Sequence, residues 1–105
     1  MTHTIVALIT TPSAATARKI SLCLVRERVA ACVNILPGVE SIYIWKNKLC
    51  REREALMVVK TTASRFGKLM RRVKQLHPYT VPEIIALPVR AGSESYLKWV
   101  RGMTR

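Results

Sequence analysis

Short apolar runs that suit β-strands alternate along the chain with segments of helical period. The run TIVALIT (Thr4–Thr10) is rich in β-branched residues and has no polar face, which is typical of a buried strand. A helical pattern follows Ser13, a residue type suited to cap a helix. The apolar positions of that pattern are Ala17, Ile20, Cys23 and Leu24. The first quarter of the chain therefore predicts a strand followed by an amphipathic helix.

The middle of the chain predicts a long β-hairpin. A second strand, VAACVNIL, is interrupted by Pro37-Gly38, which indicates a bulge or bend, and the extended pattern resumes in VESIYIW. The segment WKNKL suits the hairpin tip, because Asn47 is well able to adopt a left-handed conformation. CREREALMVVKT then returns as a third strand.

A second helix and a fourth strand follow the hairpin. The segment SRFGKLMRRVKQLH carries a single apolar stripe, made of Phe66, Leu69, Met70, Val73 and Leu76. Pro78 is expected to end this helix. EIIALPV predicts a fourth strand, in which Pro88 indicates an edge or a bulge. SESYLKWV predicts a short last helix capped by Ser93.

The two halves of the chain repeat a pattern. LITTPSAATARKI aligns with VVKTTASRFGKLM, so that in each half a strand ends in two threonines and a serine, Ser13 or Ser64, is expected to cap the next helix. Two βαβ halves give the order β-α-β-β-α-β plus a terminal helix. With right-handed crossovers, this order predicts an α+β, ferredoxin-like (split βαβ) domain over residues 1–105, with a four-stranded antiparallel sheet and both crossover helices on one face.

Two helices cannot cover such a sheet completely. The hairpin, roughly Val39 to Lys60, is longer than the helices, and the second sheet face has no helix of its own. Long strands with aromatic residues such as Tyr43 and Trp45 and an uncovered face are typical of an association surface. The pattern therefore predicts an oligomer in which both rings are buried against a neighbouring subunit.

The net charge of the chain is large and positive, but it does not by itself identify a function. The 105 residues include 18 Lys and Arg against six acids, all glutamates, for a formal net charge of +12. Glu52 and Glu54 lie among arginines in CREREAL, a pattern typical of a solvated strand face. Nucleic-acid binding is a further hypothesis, but aromatic residues make up only 6% of the chain and no RNA-binding strand motif is present. The basic face that would carry it comprises Arg65, Lys68, Arg71, Arg72 and Lys74.

Cysteine usage and the N-terminal pattern bear on the compartment. Cys23, Cys32 and Cys50 are odd in number and widely spaced, so they predict reduced, largely buried thiols rather than disulfides or a zinc finger. MTHTIVALIT lacks the features of a signal peptide, and no apolar run is long enough to cross a membrane. We therefore expect a cytoplasmic protein.

Four segments together resemble the CutA family of divalent-cation-tolerance proteins: RVAACVNILPGVESIYIWKNKL, VVKTT, KQLHPYTVPEIIALPV and YLKWV. The resemblance covers nearly the whole chain. It implies a ferredoxin-like homotrimer built through the long hairpins and binding of copper and other divalent cations, and it implies no established enzymatic reaction. The chain departs from the family at Asn47, where a glycine is usual in the tip, and at Ile9, where some members have a metal-binding cysteine.

The soft metal donors that remain from the family pattern are Cys32 and His77. Imidazole nitrogen and thiolate sulfur are suitable ligands for copper, so these two residues are the candidate metal ligands. Two donors are too few for a transition-metal centre unless trimer symmetry or water completes it. For His77 the alternative is a structural role at the end of the second helix.

Two functions remain open at this point. The first is a non-enzymatic, homotrimeric protein of divalent metal binding and tolerance. The second is a trimeric signalling or sensor protein that binds a small molecule between subunits, by analogy of fold alone. An enzyme is not indicated, because Ser13, Ser64 and Ser93 all lie where helix caps are expected.

Overall fold

The computed structural model describes residues 3–105, which fold as four β-strands and three α-helices around a single sheet. The strands are β1 (Thr4–Thr11), β2 (Cys32–Trp45), β3 (Lys48–Thr62) and β4 (Ile84–Pro88). The helices are α1 (Ala14–Arg26), α2 (Phe66–Leu76), which is preceded by a 3₁₀ turn (Ala63–Arg65), and α3 (Glu94–Met103). Within residues 3–105, no helix combines the length and the apolar character needed to cross a membrane.

The sheet has the order β2-β3-β1-β4, and all three neighbouring pairs are antiparallel. This is the arrangement that two right-handed βαβ halves produce, so the ferredoxin-like prediction is confirmed. β4 is an edge strand, and its Pro88 pairs with Ile5. Proline has no backbone N–H to donate, so it is tolerated in an edge strand.

Alternate residues of the central strands form the core with the helices. Ala7 and Ile9 of β1 lie opposite Val59 and Met57 of β3, and all four are fully buried. The buried apolar residues that α1 and α2 contribute to this cluster are Ala17, Ile20, Leu24, Leu69 and Val73. Both helices therefore cover the same face of the sheet, as the right-handed crossovers predict.

A bulge at Pro37-Gly38 bends the long hairpin. The register of β2 against β3 shifts between Leu36 and Val39, which confirms the predicted interruption. Gly38 has φ +72°, and a Cβ added there would lie 3.1 Å from the Arg53 guanidinium. Glycine is therefore favoured at this position by its backbone conformation, and a larger residue would also have to displace the exposed Arg53 side chain.

The opposite face of the sheet is largely uncovered. Leu36, Ile85 and Leu87 alternate with core residues on their strands and expose about half of their surface. α3 contacts β1 and β3, so the chain does supply a helix beyond the two crossover helices. The expectation of an uncovered apolar face is met for Leu36, Ile85 and Leu87.

Helix starts agree only partly with the serine prediction. Ser13 caps α1, since its hydroxyl accepts a hydrogen bond from the Thr16 N–H at 3.1 Å. Ser64 does not cap α2, because it lies inside the 3₁₀ turn and α2 begins only at Phe66. Ser93 precedes α3 but makes no side-chain cap; its hydroxyl lies 3.1 Å from that of Ser95. The two halves thus repeat in sequence more closely than in helix geometry.

The hairpin tip yields a prediction about stability. Lys46 and Asn47 have φ +51° and +62°, and Trp45 pairs with Lys48, so the two-residue loop has the positive dihedrals that a type I′ turn demands. Because glycine is unstrained there, Asn47→Gly should raise the free energy of unfolding by about 0.5 kcal/mol, whereas Asn47→Ala should lower it. Chemical denaturation measures both; equal stability of the two variants would contradict this assignment of the turn.

Candidate functional site

The loop from α2 to β4 is anchored by His77. This residue ends α2 and is only 7% exposed. Its Nε2 lies 2.7 Å from the Thr10 carbonyl oxygen, and its Nδ1 accepts a hydrogen bond from the Tyr79 N–H at 3.1 Å. Because a carbonyl can only accept and an amide N–H can only donate, these partners assign the ring as the neutral tautomer with its proton on Nε2. His77 thus joins the loop to the end of β1.

Tyr79 joins the same loop to the hairpin. Its hydroxyl donates to Glu54 Oε2 at 2.8 Å, and its ring lies 4.8 Å from that of His77, centroid to centroid. Burial, and next the hydrogen bond and charge of Glu54, raise the pKa of Tyr79 well above its usual value. The hydroxyl therefore stays protonated and remains a donor throughout the physiological range.

Glu54 corrects an expectation from the sequence. Glu52 is exposed, as a solvated strand face requires, but Glu54 is 7% exposed. Tyr79 is its hydrogen-bond donor, so Glu54 supports the loop instead of facing solvent among the neighbouring arginines. The pattern CREREAL could not reveal this, because the partner lies 25 residues further along the chain.

A cavity of about 720 Å³ lies between the hairpin and this loop. Tyr43 and Trp45 line it from the hairpin, and Tyr79 lines it from the loop. Glu54 and Glu83 supply its two carboxylates. This volume is within the range of about 300–1,000 Å³ that is typical of small-molecule sites.

Cys32 lies elsewhere in the sheet. It pairs with Lys60, which pairs with Val6, whereas His77 is bonded to Thr10. Val6 and Thr10 are four residues apart on β1, which is about 13 Å at the rise of an extended strand. The cysteine is half-buried and reduced, like Cys23 and Cys50. Burial first, and then Cys32, raise the pKa of Tyr96 on α3, which indicates that Tyr96 lies beside this cysteine.

The two predicted metal donors are therefore not brought together within one chain. Among residues 3–105, no three His, Cys, Asp or Glu side chains form a group that could hold a metal ion. Both ring nitrogens of His77 already have partners. The donor set of a single chain does not fit a copper centre, and ligation by Cys32 or His77 remains a prediction.

The family model described as "CutA1 divalent ion tolerance protein" matches residues 5–103. The chain belongs to this family. It is 56% identical over 99 residues to the divalent-cation tolerance protein CutA of Thermus thermophilus, covering 94% of this chain and 96% of that protein. It is 45% identical to human Protein CutA, covering 93% of this chain and 55% of the human protein, so it spans about half the length of that relative.

Solved structures of CutA1 proteins agree with the fold. The Cut A1 protein of Thermus thermophilus superposes with a TM-score of 0.95 at 54% identity, covering 97% of this chain and 99% of that one. CutA1 of Oryza sativa superposes with a TM-score of 0.95 at 40% identity, covering 97% of this chain and 94% of that one. The relative from Archaeoglobus fulgidus, with a TM-score of 0.94 at 34% identity over 97% of this chain and 99% of that one, is described as periplasmic.

Part of the basic face predicted for the second helix is engaged in contacts within the chain. Arg72 on α2 forms an ion pair with Glu27 at the end of α1, at 2.9 Å, and lowers the pKa of that carboxyl. Arg65 donates to the Thr104 carbonyl instead of facing outward. Two of the five basic residues named from the sequence therefore serve contacts within the fold, which weakens the nucleic-acid hypothesis.

The anchor between Tyr79 and Glu54 generates a pH-dependent prediction. Tyr79→Phe leaves the buried carboxylate without its donor and should lower the free energy of unfolding by about 1–3 kcal/mol at pH 7. The folded pKa of Tyr79 is raised, so its contribution is complete below the ordinary tyrosine value of about 10 and is lost as the pH rises further.

Urea denaturation between pH 7 and 11 measures this effect. The difference between the parent protein and Tyr79→Phe should shrink above about pH 10. Tyr43→Phe is the matched control, because within residues 3–105 the Tyr43 hydroxyl has no hydrogen-bond partner. A Tyr79→Phe variant as stable as the Tyr43→Phe variant at pH 7 would show that the anchor contributes nothing.

Proposed function

We propose that the protein is a non-enzymatic homotrimer that binds divalent cations, copper among them. The observation that carries the assembly is the uncovered apolar face of the sheet, together with the exposed aromatic residues of the hairpin. Membership of the CutA1 divalent ion tolerance family supports the cation. The trimer is what the resemblance to the CutA family implies.

The hairpin supplies the interface in this proposal. Leu36 lies on the uncovered face, and Tyr43 and Trp45 extend beyond the end of β1, with 39% and 48% of their surface exposed. Solvent-exposed aromatic and aliphatic side chains favour association, because each removes apolar area from water when it is covered. A neighbouring subunit packed on the hairpin strands buries these side chains.

Cys32 and His77 are the proposed metal donors. Because they lie apart within one chain, a metal centre that uses either needs ligands from a second subunit or from water. Ligation by His77 also displaces one of its two hydrogen bonds. The proposal is therefore for weak binding. It includes a cytoplasmic location, with which the three free cysteines agree.

A second function is favoured by the cavity. Its size and its aromatic lining suit a small molecule, and it lies at the hairpin, where the proposed assembly places a neighbouring subunit. We propose, as the alternative, a trimeric sensor or signalling protein whose ligand binds between subunits.

Charge insertion on the uncovered face should dissociate the trimer. Leu36→Glu places a carboxylate in the proposed interface, and Leu22→Glu is the matched control, because Leu22 is 47% exposed on α1 and Leu36 is 45% exposed on β2. Light scattering should give the mass of three chains for the parent and for Leu22→Glu, and a smaller mass for Leu36→Glu. A parent protein that is monomeric at all concentrations contradicts the assembly.

Copper titration tests the donors. Isothermal calorimetry with Cu²⁺ should be done in a His3→Gln background, so that His77 is the remaining histidine of the chain. Adding His77→Gln should abolish most of the binding, and adding Cys32→Ser should weaken it. Thermal denaturation of each variant shows that it is folded. Binding that survives both substitutions would place the copper site elsewhere.

A further inference from the structure

The cavity between the hairpin and the loop differs in charge from the rest of the molecule. The chain has three times as many basic as acidic residues, with 18 Lys and Arg against six Glu. The charged residues that line the cavity are acidic instead: they are Glu54 and Glu83, and the lining includes no lysine or arginine. Burial raises the pKa of Tyr43 most, and the charge of Glu52 raises it further, so Glu52 adds to the negative potential at the hairpin wall.

Glu54 is only partly satisfied by the protein. It is more than nine-tenths buried, and Tyr79 is its hydrogen-bond donor among residues 3–105, through Oε2 alone. A carboxylate has about four acceptor sites, and Tyr79 uses one of them, so the others remain available to a further donor. Because Glu54 lines the cavity, a donor placed there can complete its hydrogen bonding and balance its charge.

The walls of the cavity favour an organic ligand. Tyr43 and Trp45 on one side and Tyr79 on the other present aromatic rings, which attract a cation through their faces and an apolar body through burial. A bare metal ion has no apolar body to bury against the rings, and among residues 3–105 no group of three donors is available to it. A phosphate-bearing ligand would meet two carboxylates and no positive charge.

We propose that this cavity binds an organic cation, a protonated amine or guanidinium carried on a small apolar body. The charged end pairs with Glu54, and the apolar body lies against Tyr43 and Trp45. This inference names the ligand class of the second function proposed above and rests on it. The ligand and the neighbouring subunit would together cover Tyr43 and Trp45, with the subunit closing the open side of the cavity.

Calorimetry with benzylamine at pH 7 tests the inference, with benzyl alcohol as a neutral molecule of the same shape and benzoate as its anionic counterpart. The amine should bind, and the alcohol and benzoate should bind at least about tenfold more weakly. This comparison uses the unmodified protein, so it needs no variant to fold. Equal affinity for benzylamine and benzyl alcohol, or no benzylamine binding, overturns the cation site.

Substitutions then locate the site. Glu54→Gln removes the charge but keeps an acceptor for Tyr79, and it should weaken benzylamine binding by about tenfold or more. Glu40→Gln is the control, because Glu40 is exposed and pairs with Arg51 away from the cavity; it should leave the affinity unchanged. Equal losses in the two variants would show nonspecific attraction of the amine and contradict the site.

Light scattering on the same samples separates this inference from the proposed assembly. A trimer that fails to bind benzylamine refutes the cation site alone. A monomer that binds it selectively refutes the assembly and supports the cation site within a single chain.

Discussion

The structure depends on one imbalance: the sheet has two apolar faces, and the two crossover helices cover only one of them. Ile9 and Met57 are fully buried beneath α1 and α2, while Leu36, Ile85 and Leu87 on the other face remain about half exposed. At about 25 cal/mol per Å² of apolar surface, leaving such a face in water forgoes several kcal/mol for a domain of this size. Association through this face recovers that free energy, and the position of the cavity at the hairpin follows from the same geometry.

The proline-rich segment after α2 connects this helix to β4, and its contacts also position Glu54. His77 and Tyr79 use their polar atoms to join the loop to β1 and β3, which is why a histidine and a tyrosine occur together just before an edge strand. The same contacts orient Glu54 at the wall of the cavity. The histidine that family resemblance implies as a metal donor is therefore also a structural anchor, and metal binding there competes with the fold for its nitrogens.

Sequence patterns predicted the elements and their order, because the apolar β-branched run of β1 and the helical stripe on α2 are local properties of the chain. They also predicted the positive φ of Asn47 and the bulge at Gly38, which depend on single residues. They failed for Glu54, whose burial depends on Tyr79 in a different element, and for Ser64, whose 3₁₀ turn displaces the start of α2. Contacts between distant residues, including the separation of Cys32 from His77, become visible only in the folded chain.

The central claim is that association stabilises this fold by covering the second face of its sheet. Guanidinium denaturation of the unmodified protein at chain concentrations from about 0.5 to 50 μM tests it most directly, since a midpoint depends on concentration only where unfolding is coupled to dissociation. The account predicts that the midpoint rises with protein concentration over this range. A midpoint that stays constant, with all samples monomeric before denaturation, would contradict it.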